Sequence, residues 1–171
     1  MLVVLVRHAH AGSRDPIHYA DDSVRPITDK GRATQARVSR YLVARGIAPT
    51  LILSSPWLRA MQTAEILAEA YPAAERPTIV PCPELTGTPN LRSLARAAGA
   101  AVSGHVRDTL TFVGHEPWLG QLASALLTGS TTAMEVDFPK SGVIGIEASR
   151  LARGKGTLRF FVRPAMLTQL Q

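Results

Sequence analysis

The segment LVVLVRHAHAG, Leu2–Gly12, runs from five apolar residues into an arginine, two histidines one residue apart and a glycine. An unbroken, β-branched apolar run is the pattern of a strand covered on both faces, and such strands belong to parallel sheets. TLILSS (Thr50–Ser55) and TLTFVGH (Thr109–His115) repeat the theme, each apolar and each leading into a helical pattern.

The intervening segments complete an alternation. Gly12–Pro26 is polar, contains Pro16 and Pro26, and reads as a loop. Thr28 is placed as an N-cap, with Ala33, Ala36, Val38, Tyr41 and Leu42 near helical spacing and Gly46 as the stop. WLRAMQTAEILAEAY reads as a second helix ended by Pro72, and TIVPCPEL as a short extended segment. Asn90 is placed as the cap of a third helix reaching Ala101. PWLGQLASALLTG reads as a fourth helix, with Pro117 near N1 and Gly129 at its end. GVIGIEA and GTLRFFV read as late strands, joined as a hairpin around RLARGKG. The expectation is an α/β three-layer sandwich, with a mostly parallel central sheet and helices on both faces. With no repeat and no low-complexity linker, residues 1–171 are expected to form a single domain.

The chain's 171 residues are 46% hydrophobic and 19% charged, a globular balance. No apolar run approaches the roughly 20 residues that cross a bilayer. Leu2–Val6 is too short for a secretory signal and has no basic residue before it. The lone Cys82 has no partner for a disulfide and reads as an inert bystander. These features point to the cytoplasm and away from a membrane. The net charge of +6 comes from scattered arginines, aromatics are only 5%, and no nucleic-acid motif is present. No nucleic-acid partner is therefore expected; a few of the arginines are reserved for an anion. A monomer is the default state.

In a parallel sheet, ligands bind beyond the carboxyl ends of the strands. Arg7 and His8 follow the first strand, Arg59 lies just after the second, and His115 ends the Thr109–His115 strand. These four residues are expected to share a pocket. Inward-facing arginines match phosphate oxygens bidentately. A neutral imidazole is a competent nucleophile towards phosphorus, and a second histidine, if protonated, can hold negative charge on the transferring group. No Lys-bearing P-loop and no carboxylate cluster for Mg²⁺ is visible, so no metal and no cofactor is expected.

These segments resemble a known family. LVRHAHAG is similar to the Arg-His-Gly signature of the histidine phosphatase (phosphoglycerate mutase-like) superfamily. LSSPWLRAMQTAEIL resembles its second signature, and VGHEPWLGQLA its third, the Gly-His turn. DDSVRPIT-x-x-G and the short length resemble the SixA-type phosphohistidine phosphatase branch. The resemblance implies His8 as the nucleophile that takes the phosphoryl group. It implies Arg7 and Arg59 as clamps on phosphate oxygens and His115 as a donor to the phosphoryl group. Arg25 matches an arginine that SixA-type members point into the same pocket. Glu84, in PEL, is the candidate proton donor, set against a structural or rim carboxylate. Ala9 replaces the family's glycine, so this position does not need a positive φ.

Other residues read more plainly. His10 is a hydrogen-bonded loop residue, with a substrate contact as the minor reading. His18 and His105 lie in polar stretches and are placed on the surface. Glu116 is an exposed turn residue or a helix N-terminal charge. Ser55 shapes a turn. Trp57 and Trp118 read as core residues, with a place lining the mouth of the pocket as the alternative.

The leading expectation is a metal-independent phosphatase working through a phosphohistidine intermediate. Its partner would be a phosphorylated protein carrying phosphohistidine or, alternatively, a small phosphomonoester such as a sugar phosphate or nucleotide. A non-catalytic phosphate-binding module is the remote alternative. A metal hydrolase using His8-x-His10 as ligands is disfavoured, because the barrels that use such a pair need about 250 residues.

Overall fold

The computed structural model describes residues 1–101 and 109–169; His105 lies outside them. The strands are β1 (Leu2–Arg7), β2 (Leu51–Ser54), β3 (Thr78–Pro81), β4 (Thr109–Gly114), β5 (Val143–Ala148) and β6 (Gly156–Val162). The helices are α1 (Asp29–Ala44), α2 (Leu58–Glu69), α3 (Leu91–Ala101) and α4 (Trp118–Thr128). One six-stranded sheet runs in the order β3-β2-β4-β1-β5-β6. The first four strands are mutually parallel; β5 and β6 pair antiparallel as the expected hairpin, with a register shift at Gly145/Ile146.

The period of two along β1 divides the core. Val3 and Leu5 join Leu53, Phe112, Leu94, Leu119 and Leu122 on the α3/α4 face. Val4 and Val6 join Ile52, Val38, Leu42, Ala64 and Leu67 on the α1/α2 face. Fully burying each large aliphatic chain stabilises the fold by about 1.5–3 kcal/mol. Both faces are thus covered, which is why these strands are apolar throughout rather than alternating.

The helix ends follow the sequence closely. Thr28 Oγ1 accepts from Gly31 N (3.1 Å) to cap α1, and Gly46, at φ +70°, lies just past its end. Asn90 Oδ1 accepts from Ser93 N (3.1 Å) at the start of α3. Pro117 stands at the N-cap of α4, one residue before the expected N1, and Gly129 closes it at φ +89°. TIVPCPEL is divided: only Thr78–Pro81 pairs in the sheet, and Pro83–Thr86 winds into a 3₁₀ turn. The ladder to β2 reaches Cys82, whose amide donates to Ser54 O (2.6 Å), before the chain turns at Pro83.

Gly31 is required by a close approach. A Cβ there would stand 2.2 Å from the His10 carbonyl oxygen, so the start of α1 lies directly against the loop after β1. Among the described residues, no helix is long and apolar enough to cross a membrane.

Candidate active site

Strand register builds the site. Arg7 pairs with Gly114 across β1 and β4, so the next residue of each strand, His8 and His115, stand side by side. Their ring centroids are 5.0 Å apart. Ser54 pairs with Val113 across β2 and β4, which carries Ser55 to the same edge; its amide donates to Val113 O (2.9 Å). Arg59 enters from the first turn of α2. The structure therefore brings together Arg7, His8, Arg59 and His115.

His8 is buried, with 6% of its surface exposed. Its Nδ1 lies 2.7 Å from Ala9 O. A carbonyl only accepts, so Nδ1 carries the hydrogen and Nε2 keeps its lone pair. Ala9 N donates to Thr63 Oγ1 (2.9 Å), and Thr63 Oγ1 donates to Arg59 O (2.6 Å). The Gln-Thr pair of α2 thus holds the segment between β1 and α1, since Gln62 Oε1 also accepts from Ile27 N (2.9 Å).

Arg59 is held on three sides. Its Nη1 donates to Asp22 O (2.7 Å), its Nη2 pairs with Asp22 Oδ2 (3.0 Å), and its guanidinium lies 4.5 Å from the Trp57 ring centroid. Arg7 Nη1 donates to Phe138 O (2.5 Å). Three buried groups of this cluster, Arg7 Nε, Arg59 Nε and His115 Nδ1, have no hydrogen-bond partner among the described residues.

The side chains of Arg25, His10 and Glu84 are engaged with other groups of the fold. Arg25 is buried, but its guanidinium braces the loop: Nε donates to Asp22 Oδ1 (2.8 Å) and Nη1 to Ala11 O (2.6 Å) and Gly12 O (3.0 Å). His10 Nδ1 lies 2.9 Å from Thr28 Oγ1, tying the loop to the α1 cap. Glu84 Oε2 accepts from Cys82 Sγ (3.3 Å) on the 3₁₀ turn after β3. Among the described residues, no hydrogen bond or ion pair joins Glu84 to His8, His115, Arg7 or Arg59. Burial and that carboxylate push the Cys82 thiol up to about 12, so it is inert. Glu116 Oε1 accepts from Gly120 N (2.9 Å) at the start of α4, and burial raises its carboxyl. Arg7, Glu116, Glu135, Asp137 and Phe138 border a cavity of about 520 Å³. The larger groove, about 820 Å³, runs along the loop of Arg14, Tyr19 and Arg25. His18 is on the surface, paired with Asp15.

Three contributors, Asp22, Ser55 and Lys140, go beyond the sequence reading. Asp22 neutralises Arg25 and Arg59 together, and those cations hold its carboxyl below its usual range. Its signal was its place in DDSVRP. Ser55 does more than shape its turn: Oγ accepts from Trp57 N (3.3 Å) and lies 2.8 Å from His115 Nε2. Trp57 packs 4.6 Å from the His115 ring, with Trp118 at 6.1 Å, so both tryptophans wall the histidine. Lys140, half-buried on the turn before β5, is close enough to the cluster that its charge acts on His8 and those of Arg7, Arg25 and Arg59 act on it.

Burial and the neighbouring cations hold both histidines neutral: His8 falls to about 2 and His115 to about 3, from an ordinary 6.5. The unfolded chain takes up these two protons as pH falls below about 6.5, whereas the folded chain refuses them. Stability present above that pH is therefore lost on acidification. The expected slope is about 1.4 kcal/mol per pH unit for each histidine between about pH 6 and 4. Urea unfolding at pH 7, 6 and 5 measures it. A His8→Asn/His115→Asn double variant should give a distinctly flatter slope, and an unchanged slope contradicts the assignment.

Among the described residues, no group of three or more His, Cys, Asp or Glu is placed to hold a metal ion. A family model for the histidine phosphatase superfamily (branch 1) matches residues 3–85. An uncharacterised protein of Picosynechococcus sp. (strain PCC 7002) is 35% identical over 147 residues, covering 81% of each chain. The phosphohistidine phosphatase SixA of Escherichia coli (strain K12) is 27% identical over 167 residues, covering 98% of this chain and 96% of SixA. A solved structure of the protein histidine phosphatase SixA complexed with tungstate superposes with a TM-score of 0.76. It has 27% identity and covers 98% of this chain and 99% of that one. The matched family model, the relatives covered over most of their length and the sheet shared with SixA show that the chain belongs to the histidine phosphatase superfamily, of the SixA type, and is a phosphatase.

Proposed function

We propose that the protein removes phosphoryl groups from phosphohistidine in a protein partner, through a covalent intermediate on His8. The observation that carries the chemistry is the set of buried donors without acceptors, Arg7 Nε, Arg59 Nε and His115 Nδ1, around an imidazole whose Nε2 lone pair is free. Buried donors are normally satisfied, and a phosphoryl group supplies three acceptor oxygens at once.

In the first step His8 Nε2 attacks phosphorus and the bond to the leaving group breaks, with its electron pair departing on that group. Arg7 and Arg59 hold the equatorial oxygens, where charge spreads in the transition state. Ser55 receives the Trp57 N–H, so its own hydroxyl hydrogen is available to His115 Nε2. That leaves the ring hydrogen of His115 on Nδ1, as a donor to the phosphoryl group. In the second step water attacks phosphorus, the P–N bond to His8 breaks, and inorganic phosphate leaves. His8, neutral and tied to Ala9 O, is restored.

The acid requirement favours an imidazole leaving group over an alkoxide. Glu84 is engaged with Cys82, and Glu116 folds onto the α4 amide of Gly120. A phosphoramidate needs less help than an ester, because solvent can protonate its nitrogen. The full-length similarity to SixA supports the same substrate class, and a cytoplasmic location fits it. A substrate panel tests this reading. A phosphorylated histidine phosphotransfer domain should exceed small phosphomonoesters in kcat/KM by about 10²-fold or more, a gap of the size that binding contacts alone can supply. A sugar phosphate or nucleotide that matches or beats it would replace phosphohistidine as the substrate.

A further inference from the structure

We propose that Lys140 binds the transferring phosphoryl group, as a further cation of the pocket beside Arg7 and Arg59. This rests on the phosphatase chemistry above and adds a residue that the family signatures do not contain.

The turn that carries Lys140 is fastened to the nucleophile's own backbone. Gly142 N donates to Pro139 O (2.8 Å), closing the turn around Lys140 and Ser141. Ser141 N donates to Arg7 O (3.1 Å) and His8 O (3.3 Å), and Arg7 N donates to Gly142 O (3.1 Å). Ser141 is held at φ +58°, a left-handed conformation that costs a non-glycine residue about 1–2 kcal/mol. The strain persists because the turn is fixed at both ends, and Lys140 is thereby set beside His8.

The charge environment is one-sided. Arg7, Arg25 and Arg59 act on the Lys140 ammonium, and Lys140 in turn acts on His8 and His10. Among the described residues, Lys140 forms no ion pair. The carboxylates around the cluster are committed elsewhere: Asp22 to Arg25 and Arg59, Asp137 to Arg163, and Glu116 to the Gly120 amide. A lysine that served only the fold would hold a carboxylate or a carbonyl, and a solvated one would stand clear of the pocket. Lys140 is instead half-buried among like charges, which destabilises the free protein and favours an anion. Its flexible stem suits an oxygen that moves as phosphorus passes from the substrate to His8, while the rigid arginine forks fix the others.

The test measures inorganic phosphate binding to the full chain by calorimetry, with melting temperatures in the absence and presence of phosphate. Lys140→Met should weaken phosphate binding about tenfold, as for the loss of one charge-assisted hydrogen bond. It should also keep or raise the melting temperature without phosphate, because a repulsive charge is gone. Lys140→Arg should retain binding within a few-fold. A merely structural role predicts the reverse pattern, with a lowered melting temperature and unchanged phosphate affinity of the folded fraction. Unchanged phosphate affinity in Lys140→Met overturns the proposal and leaves the phosphatase chemistry standing. A wild-type protein that binds no phosphate overturns both.

Discussion

His8→Ala is expected to reduce kcat by roughly 10⁴-fold or more, the scale seen when a covalent nucleophile is removed. The reason is geometric. His8 presents a neutral Nε2 because Nδ1–H is committed to Ala9 O, and burial among cations keeps the ring deprotonated far below neutral pH. No neighbour duplicates that arrangement. His115 has its Nε2 against Ser55 Oγ, and His10 has its Nδ1 at the α1 cap. The fold should survive, since the strand pairing of β1 and the backbone bond from His8 N to Gly114 O (2.9 Å) do not use the side chain. Steady-state kinetics on a variant with native circular dichroism checks this. Residual activity within tenfold of wild type would remove His8 from the mechanism.

Arg59→Ala is expected to lower kcat/KM by roughly 10²–10³-fold, the cost of losing one preorganised donor to a charged transition state. It should also destabilise the protein by about 2 kcal/mol, at the lower end for breaking a buried pair because the Asp22 side chain is partly exposed. Both effects share a cause. Arg59 bridges the Asp22 carbonyl and carboxylate while stacking on Trp57, so one side chain orders the loop and the pocket together. Arg59→Lys should recover little, because an ammonium cannot make the fork and the stack at once. Kinetics combined with denaturant midpoints read both effects; a lysine variant with wild-type kcat/KM would contradict this role.

The architecture was legible because apolar runs and caps are local signals. Leu2–Arg7, Thr109–Gly114 and the Thr28 cap appear where their residues place them. The pairing of His8 with His115 was legible one step further, since the carboxyl ends of parallel strands lie along one edge of the sheet. Arg25 and Glu84 show the limit. Their types suit phosphate and proton chemistry, yet Arg25 braces the Ala11–Gly12 carbonyls and Glu84 accepts from Cys82. Such commitments depend on what lies across the fold. Asp22, Ser55 and Lys140 act through partners 37, 60 and more than 100 positions away, which no local pattern encodes. Lys140, in PKSG ahead of a strand, carries no local signal; its place is set by a turn hydrogen-bonded to Arg7 and His8.

The central claim is a phosphoryl group on His8, and rapid-quench trapping with a radiolabelled phosphohistidine substrate tests it most directly. The expected result is an acid-labile, alkali-stable label that maps to the peptide containing Leu2–Arg14 and is absent from His8→Ala. Label that persists in the His8→Ala variant, or wild-type turnover at full rate with no label on His8, would contradict the account.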